Sequence, residues 1–199
     1  DKSIGWYRKK ITIPESDLGR RIHIAFDGVF RNSVVWINGH YLGNQDSGYL
    51  GFEYDITDYI NYGGENTIAV RVDATMEEGW FYEGAGIYRH VWLNKTNKLH
   101  IPDNGTFVKT KTKDTTNEIN ALVTLINEGK TQKSFKINQT ILDATGKTVS
   151  EKTINSCTLN PRETKDFSAD LTVQNPTPWS LENPYLYKMI TTVYQEDKL

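Results

Sequence analysis

The sequence predicts an all-β protein made of two sandwiches in tandem. Three observations lead there: apolar residues recur with a period of two over short runs, Asn-Gly and Gly-Gly pairs punctuate those runs, and composition changes near residue 103. Four of the five tryptophans and eight of the eleven tyrosines precede that point, and beyond it the chain turns rich in Thr, Lys and Asn.

The chain enters a strand almost at once, in GWYRKKITI (5–13). Ile22, Ile24 and Phe26 then alternate with Arg21, His23 and Ala25, the pattern of a half-buried strand. SVVWI (33–37) and HYLG (40–43) flank Asn38-Gly39, a hairpin signature because a type I′ turn needs positive φ at both central residues. DITDYI (55–60) is the one credible helical piece, a turn or so capped by Asp55 or Thr57. After Gly63-Gly64 the alternation resumes with Ile68, Val70 and Val72, and again with Ile87, Val91 and Leu93.

IPDNGT (101–106) reads as a junction. Beyond it, NALVTLIN (120–127), SFKINQTIL (134–142) and LYKMITTVY (186–194) read as strands, with DATGK (143–147) a turn between two of them. Six or so short strands in the second half fit an immunoglobulin-like sandwich without the antibody cysteine pair. Cys157 stands alone, so no internal disulfide or cysteine-based zinc cluster is expected, and a small buried filler is its simplest role. Strands run close to both ends, and the chain reads as a piece of something larger.

Several function classes drop out. A net charge of −2 with scattered basic residues gives no electrostatic case for nucleic acid or an anionic membrane. No apolar run approaches the roughly 20 residues that span a bilayer. No signal peptide is visible, so the compartment is open: periplasmic or extracellular if a signal precedes Asp1, otherwise cytoplasmic. His23, His40, His90 and His100 form no HxH or HxxxH pair, so no metal site is expected. Sequons at Asn94, Asn104 and Asn138 are expected by chance in so Asn- and Thr-rich a chain. There is no nucleophile elbow or phosphate loop, and GAGIYR is not a dinucleotide fingerprint.

The segment EEGWFYEGAGIYRHVWL (77–93) is the exception to this plainness. Glu77, Glu78 and Glu83 could be a glycosidase acid pair, but a glycine-rich loop holds two catalytic groups poorly, and a solvated or ligand-facing role suits them better. Trp80, Phe81 and Tyr82 cannot all face one core, because successive side chains of a strand point to opposite faces. At least one is exposed. Trp80 either faces a ligand, as exposed loop aromatics do, or packs on a neighbouring domain.

Five segments stand in order along the chain: GWYRKKITIP (5–14), FDGVFRNSVVWINGHYLG (26–43), GYLGFEYDITDYI (48–60), NTIAVRVD (66–73) and GAGIYRHVWL (84–93). Together they resemble the front end of glycoside hydrolase family 2, the β-galactosidases, β-glucuronidases and β-mannosidases, and NPTPWSLENPYLYKMITTV (175–193) is similar to a later family segment. The resemblance implies a jelly-roll, galactose-binding-like sandwich over residues 1–103, missing its first strands. An immunoglobulin-like sandwich over 104–199 would follow, its last strand expected beyond Leu199. In the family two catalytic glutamates sit on a (β/α)8 barrel that follows this point, so no catalytic residue is expected here, and the carbohydrate and that barrel are the expected partners. The loop before GAGIYR would help shape the sugar subsite, through Trp80, Tyr82, Glu77 and Glu78. Trp80 stands where some members place an acid that touches sodium and a sugar hydroxyl, so neither a metal nor a cofactor is expected. Among the motif residues, Gly28 and Gly39 would serve turns, Trp36 and Trp92 core or inter-sheet packing, and Arg89 an anchoring pair with Asp27 or Asp55. The expected function is thus the non-catalytic front of a β-galactosidase-like exo-glycosidase. An autonomous carbohydrate-binding module, or the front of a β-glucuronidase or β-mannosidase, is the alternative.

Overall fold

The computed structural model describes residues 3–76 and 85–195. It divides into two units, Asp1–Asn97 and Lys98–Leu199.

In the first unit the strands are β1 (Ile4–Thr12), β2 (Arg21–Phe26), β3 (Val29–Phe30), β4 (Ser33–Ile37), β5 (His40–Gln45), β6 (Phe52–Asp55), β7 (Glu65–Asp73), β8 (Gly86–Ile87) and β9 (Val91–Thr96). One antiparallel sheet runs β1-β7-β4-β5, a second runs β6-β2-β9, and β3 pairs with β8. The alternation read from the sequence sets the faces: Ile22, Ile24 and Phe26 of β2 and Ile68, Val70 and Val72 of β7 all enter one core with Ile13, Val35, Ile37 and Ile56. Fully burying each such side chain contributes about 1.5–3 kcal/mol.

The hairpin turn forms as the dipeptide demands, with φ of 51° at Asn38 and 84° at Gly39. The expected helix over 55–60 is a single 3-10 turn, Thr57–Tyr59. Asp55 sets it up by accepting hydrogen bonds from the Thr57 amide (2.9 Å) and hydroxyl (2.6 Å). Beside it, Asn66 is fully buried yet fully used. Its Oδ1 accepts from the Asn61 amide (2.7 Å) and Asn38 Nδ2 (2.8 Å), and its Nδ2 donates to the carbonyls of Asn61 (3.0 Å) and Gly64 (3.2 Å).

The second unit contains β10 (Leu99–His100), β11 (Thr106–Lys113), β12 (Thr116–Asn127), β13 (Lys133–Leu142), β14 (Thr148–Leu159), β15 (Thr164–Gln174) and β16 (Lys188–Tyr194). β12 is flanked by β15 on one edge and by β10 and β11 in succession on the other. The second sheet runs β14-β13-β16. The division falls at 97/98 rather than near 103, because Leu99 and His100 pair with Asn127 and Ile126 of β12. Val123, Leu125, Phe135, Ile137 and Leu159 fill one part of the core, with Cys157 among them as a small buried residue. Asn127 plays the part that Asn66 plays in the first unit: its buried Nδ2 reaches the carbonyls of Thr131, Leu159 and Asn160. The expected turn at 143–147 closes on Asp143, whose Oδ1 accepts from the amides of Thr145 and Lys147 and the Thr145 hydroxyl.

Candidate functional site

The candidate subsite residues Glu77, Glu78, Trp80 and Tyr82, like Glu83, lie outside the described residues. The two stems that carry their loop are described, and both are held tightly. On the β7 side, Asp73 Oδ1 accepts from the Thr75 amide (3.1 Å) and hydroxyl (2.6 Å), while its Oδ2 pairs with Arg71 Nη2 at 2.7 Å. The Thr75 hydrogen bonds, helped by Arg71, hold this carboxyl below the usual aspartate range. The connection between β3 and β4 then clasps the stem. The Arg31 carbonyl accepts from the Asp73 amide (3.1 Å), Asn32 Nδ2 donates to the Asp73 carbonyl (3.3 Å), and Arg31 Nη2 donates to the Met76 carbonyl (2.6 Å). Arg31 is itself buried, its guanidinium 5.5 Å from the Phe30 ring centre.

On the β8 side, Gly86 has φ of +119° and pairs with Phe30, and the Tyr7 hydroxyl fills the space its Cβ would need. Tyr88 donates to the Gly48 carbonyl (2.9 Å), and its ring lies over Gly28, where a Cβ would come within 2.7 Å of it. Gly28 therefore admits a ring at close range, whereas the expectation gave it a turn. The signal for the clasp was weak in sequence: Arg31 and Asn32 interrupt the alternation in FRNS, and Asn32 adopts φ of 44°.

The other motif residues separate from one another. Trp36 is on the outer face of its sheet, stacked on Trp6, so it is not a core or inter-sheet residue. Trp92 is half exposed, also outside the core, because its neighbours Val91 and Leu93 pair with the inward residues Phe26 and Ile24. Its Nε1 donates to Asp27 Oδ2 (2.9 Å), its ring packs on His90 (5.2 Å), and His90 Nδ1 is 3.7 Å from the same carboxylate oxygen. Arg89 is exposed at the surface. Asp27 is thus engaged by Trp92 and His90, and Asp55 by Arg21 and Thr57, so neither forms the anchoring pair expected for Arg89. Burial would raise the Asp55 pKa, but the Thr57 hydrogen bonds with Arg21 and His23 lower it overall. Asn38 and Gly39 take the turn expected of them, and Asn38 also donates to the Tyr59 carbonyl (2.7 Å) and accepts from the Thr67 amide (2.9 Å).

A cavity of about 470 Å³ opens between the edge strands β1 and β9. Ile11, Ile24, Phe26, Ile68, Val70 and Leu93 form its apolar wall, and Tyr7, Lys9 and Trp92 stand at its rim. It offers no pair of carboxylates and little hydrogen bonding, which makes it a poor site for a sugar. Among the described residues no group of three or more His, Cys, Asp or Glu could hold a metal ion, and no helix is long and apolar enough to cross a membrane.

Residues 1–97 match the sequence model described as glycosyl hydrolases family 2, sugar binding domain, and residues 99–199 match the model described as glycosyl hydrolases family 2. A β-galactosidase of Bacteroides ovatus is 39% identical over 98% of this chain and 23% of its own length. A putative β-glucuronidase of Formosa agariphila is 37% identical over 100% of this chain and 18% of its own. The crystal structure of a glycosyl hydrolase family 2 member from Bacteroides cellulosilyticus superposes with a TM-score of 0.94 at 38% identity, covering 98% of this chain and 27% of that one. The chain therefore spans about a quarter of the length of these relatives, or less. With each half matched by one of the family's own domain models in the family's order, the chain belongs to glycosyl hydrolase family 2.

Proposed function

We propose that these 199 residues form the non-catalytic front of a β-galactosidase-like exo-glycosidase, in which the loop 77–84 shapes a sugar subsite completed by a (β/α)8 barrel of the same polypeptide. The observation that carries the reading is the double clamp on the loop: Arg31 and Asn32 hold one stem, Tyr7 and Phe30 close on the other. A subsite works when its contacts are held by packed neighbours, and this frame fixes both ends of a segment that carries Trp80 and Tyr82. Trp80 is the stacking wall for a sugar ring, Tyr82 with Glu77 and Glu78 supplies hydrogen bonds to its hydroxyls, and no metal or cofactor takes part. The putative β-glucuronidase among the relatives, 37% identical over the whole of this chain, favours a second reading in which the same front serves a β-glucuronide.

The test has two arms. The purified 199-residue chain should not turn over nitrophenyl β-galactoside, and measurable turnover abolishes the non-catalytic half of the reading. In the full-length enzyme, Trp80→Ala should raise KM for its β-glycoside about tenfold, as loss of one stacking contact predicts. An unchanged KM and kcat removes the loop from the subsite.

A further inference from the structure

The outer face of the β1-β7-β4-β5 sheet carries an aromatic strip. Val70 and Val72 point into the core, so Ala69 and Arg71 point outward. Strand register then sets two outward rows: Trp6, Arg71, Val34 and Asn44 in one, Arg8, Ala69, Trp36 and Tyr41 in the other. Ala69 is the small member. Trp6 reaches over it to stack on Trp36, with ring centres 5.4 Å apart and planes 25° apart. Tyr41 meets the other side of Trp36 edge-on at 6.3 Å. The three rings cross all four strands, a strip about 14 Å long at the usual strand spacing.

Within these 199 residues Trp6 is 58% exposed and Tyr41 57%, so both rings present a face to solvent. Its margins are hydrogen-bonding groups already held in place. The Tyr41 hydroxyl donates to Asn44 Oδ1 (3.2 Å), whose Nδ2 donates to Asp46 Oδ1 (3.0 Å). Arg71 is fixed by Asp73 at 2.7 Å, and Lys10 by Glu65 at 3.0 Å. Flat rings with amide, carboxylate and guanidinium groups alongside match a pyranose chain, which presents C–H faces and hydroxyl edges. A protein hot spot instead places its aromatic anchors in desolvated pockets ringed by water-excluding contacts, and two of the basic groups beside these rings, Arg71 and Lys10, are already balanced by acids, which weakens the case for nucleic acid.

We propose that this strip is a binding surface for a β-linked polysaccharide, with Trp6 and Tyr41 as its exposed stacking residues and Trp36 as the ring that supports them. The β-linkage rests on the glycosidase reading above; the surface itself does not. Native gel electrophoresis tests it, run through soluble β-1,4-galactan, β-1,4-mannan and hydroxyethyl cellulose. At least one of the three should retard the chain, and Trp6→Ala and Tyr41→Ala should each weaken that retardation about tenfold. Trp92→Ala, on the other sheet, should leave it unchanged, and Tyr41→Phe should keep most of it. Circular dichroism and thermal melts confirm that the variants are folded; if Trp6→Ala is not, Tyr41→Ala against Tyr41→Phe decides. No retardation by any of the three, or retardation that survives both alanine variants, overturns the proposal. Retardation lost only in Trp80→Ala also overturns it, while leaving the loop reading intact.

Discussion

Replacing Asn66 by alanine should destabilise the first unit and leave the second alone. The side chain has no exposed surface and makes four hydrogen bonds, to the Asn61 amide and carbonyl, the Gly64 carbonyl and Asn38 Nδ2. At about 1 kcal/mol net for each bond the loss approaches 4 kcal/mol. Asn61 is exposed, so its freed backbone groups recover some hydration, and Asn38 keeps its bond to the Tyr59 carbonyl, which brings the expected cost to about 3 kcal/mol. For a unit of about 100 residues that corresponds to a melting-point drop of about 12–24 °C. Tryptophan fluorescence reads the right half of the molecule, since Trp6, Trp36, Trp80 and Trp92 lie in the first unit and Trp179 alone in the second. Calorimetry follows both units and supplies the control. A drop below about 4 °C would mean that water replaces the network at little cost, and the argument from buried satisfaction would fail.

Two further outcomes follow from single side chains. Gly86→Ala should cost about 1–3 kcal/mol in urea unfolding, from the positive φ and the collision with the Tyr7 hydroxyl, and the cost should shrink but not vanish in a Tyr7→Phe background, because only the collision is relieved. Asp55 has a lowered pKa in the folded state, so its contribution is fully present above the unfolded value of 3.8 and disappears as the pH falls through the lower folded value. Urea midpoints of Asp55→Asn should therefore lose part of the wild-type dependence below about pH 4 and fall short of wild type at pH 7; parallel profiles would exclude the Thr57 and Arg21 contacts as the cause.

What could be read from the sequence was local. Asn38-Gly39 fixes its turn within four residues, and Ile22, Ile24 and Phe26 declare a face by their own alternation. Trp36 and Trp92 could not be placed this way. Period two says that a tryptophan and its neighbours face opposite sides, and large apolar residues invite the inward choice; pairing with β7 and β2 put both outside. β11 was invisible for the opposite reason, since every one of its residues is exposed and no alternation marks it. The junction was read from turn residues at 101–106, but a two-residue pairing between Leu99–His100 and β12 moved it, and nothing near residue 99 encodes a partner at 126. At the candidate site, ordered motifs pointed to the loop. Its clamp, which ties Arg31 to a carbonyl 45 residues away, exists only once the strands have paired.

Lys9 gives the gap between β1 and β9 a chemical gatekeeper. It lies opposite Ile68, on the core-facing side of an edge strand, and stands at the rim of an otherwise apolar opening. A foreign strand laid against that edge would have to strip water from the ammonium, at a cost of several kcal/mol unless it brought a carboxylate or carbonyl to the same spot. Apolar surface alone is thus an insufficient credential for entry: any strand that seats here, from this polypeptide or another, must bring a partner for Lys9 as well as side chains for the apolar wall.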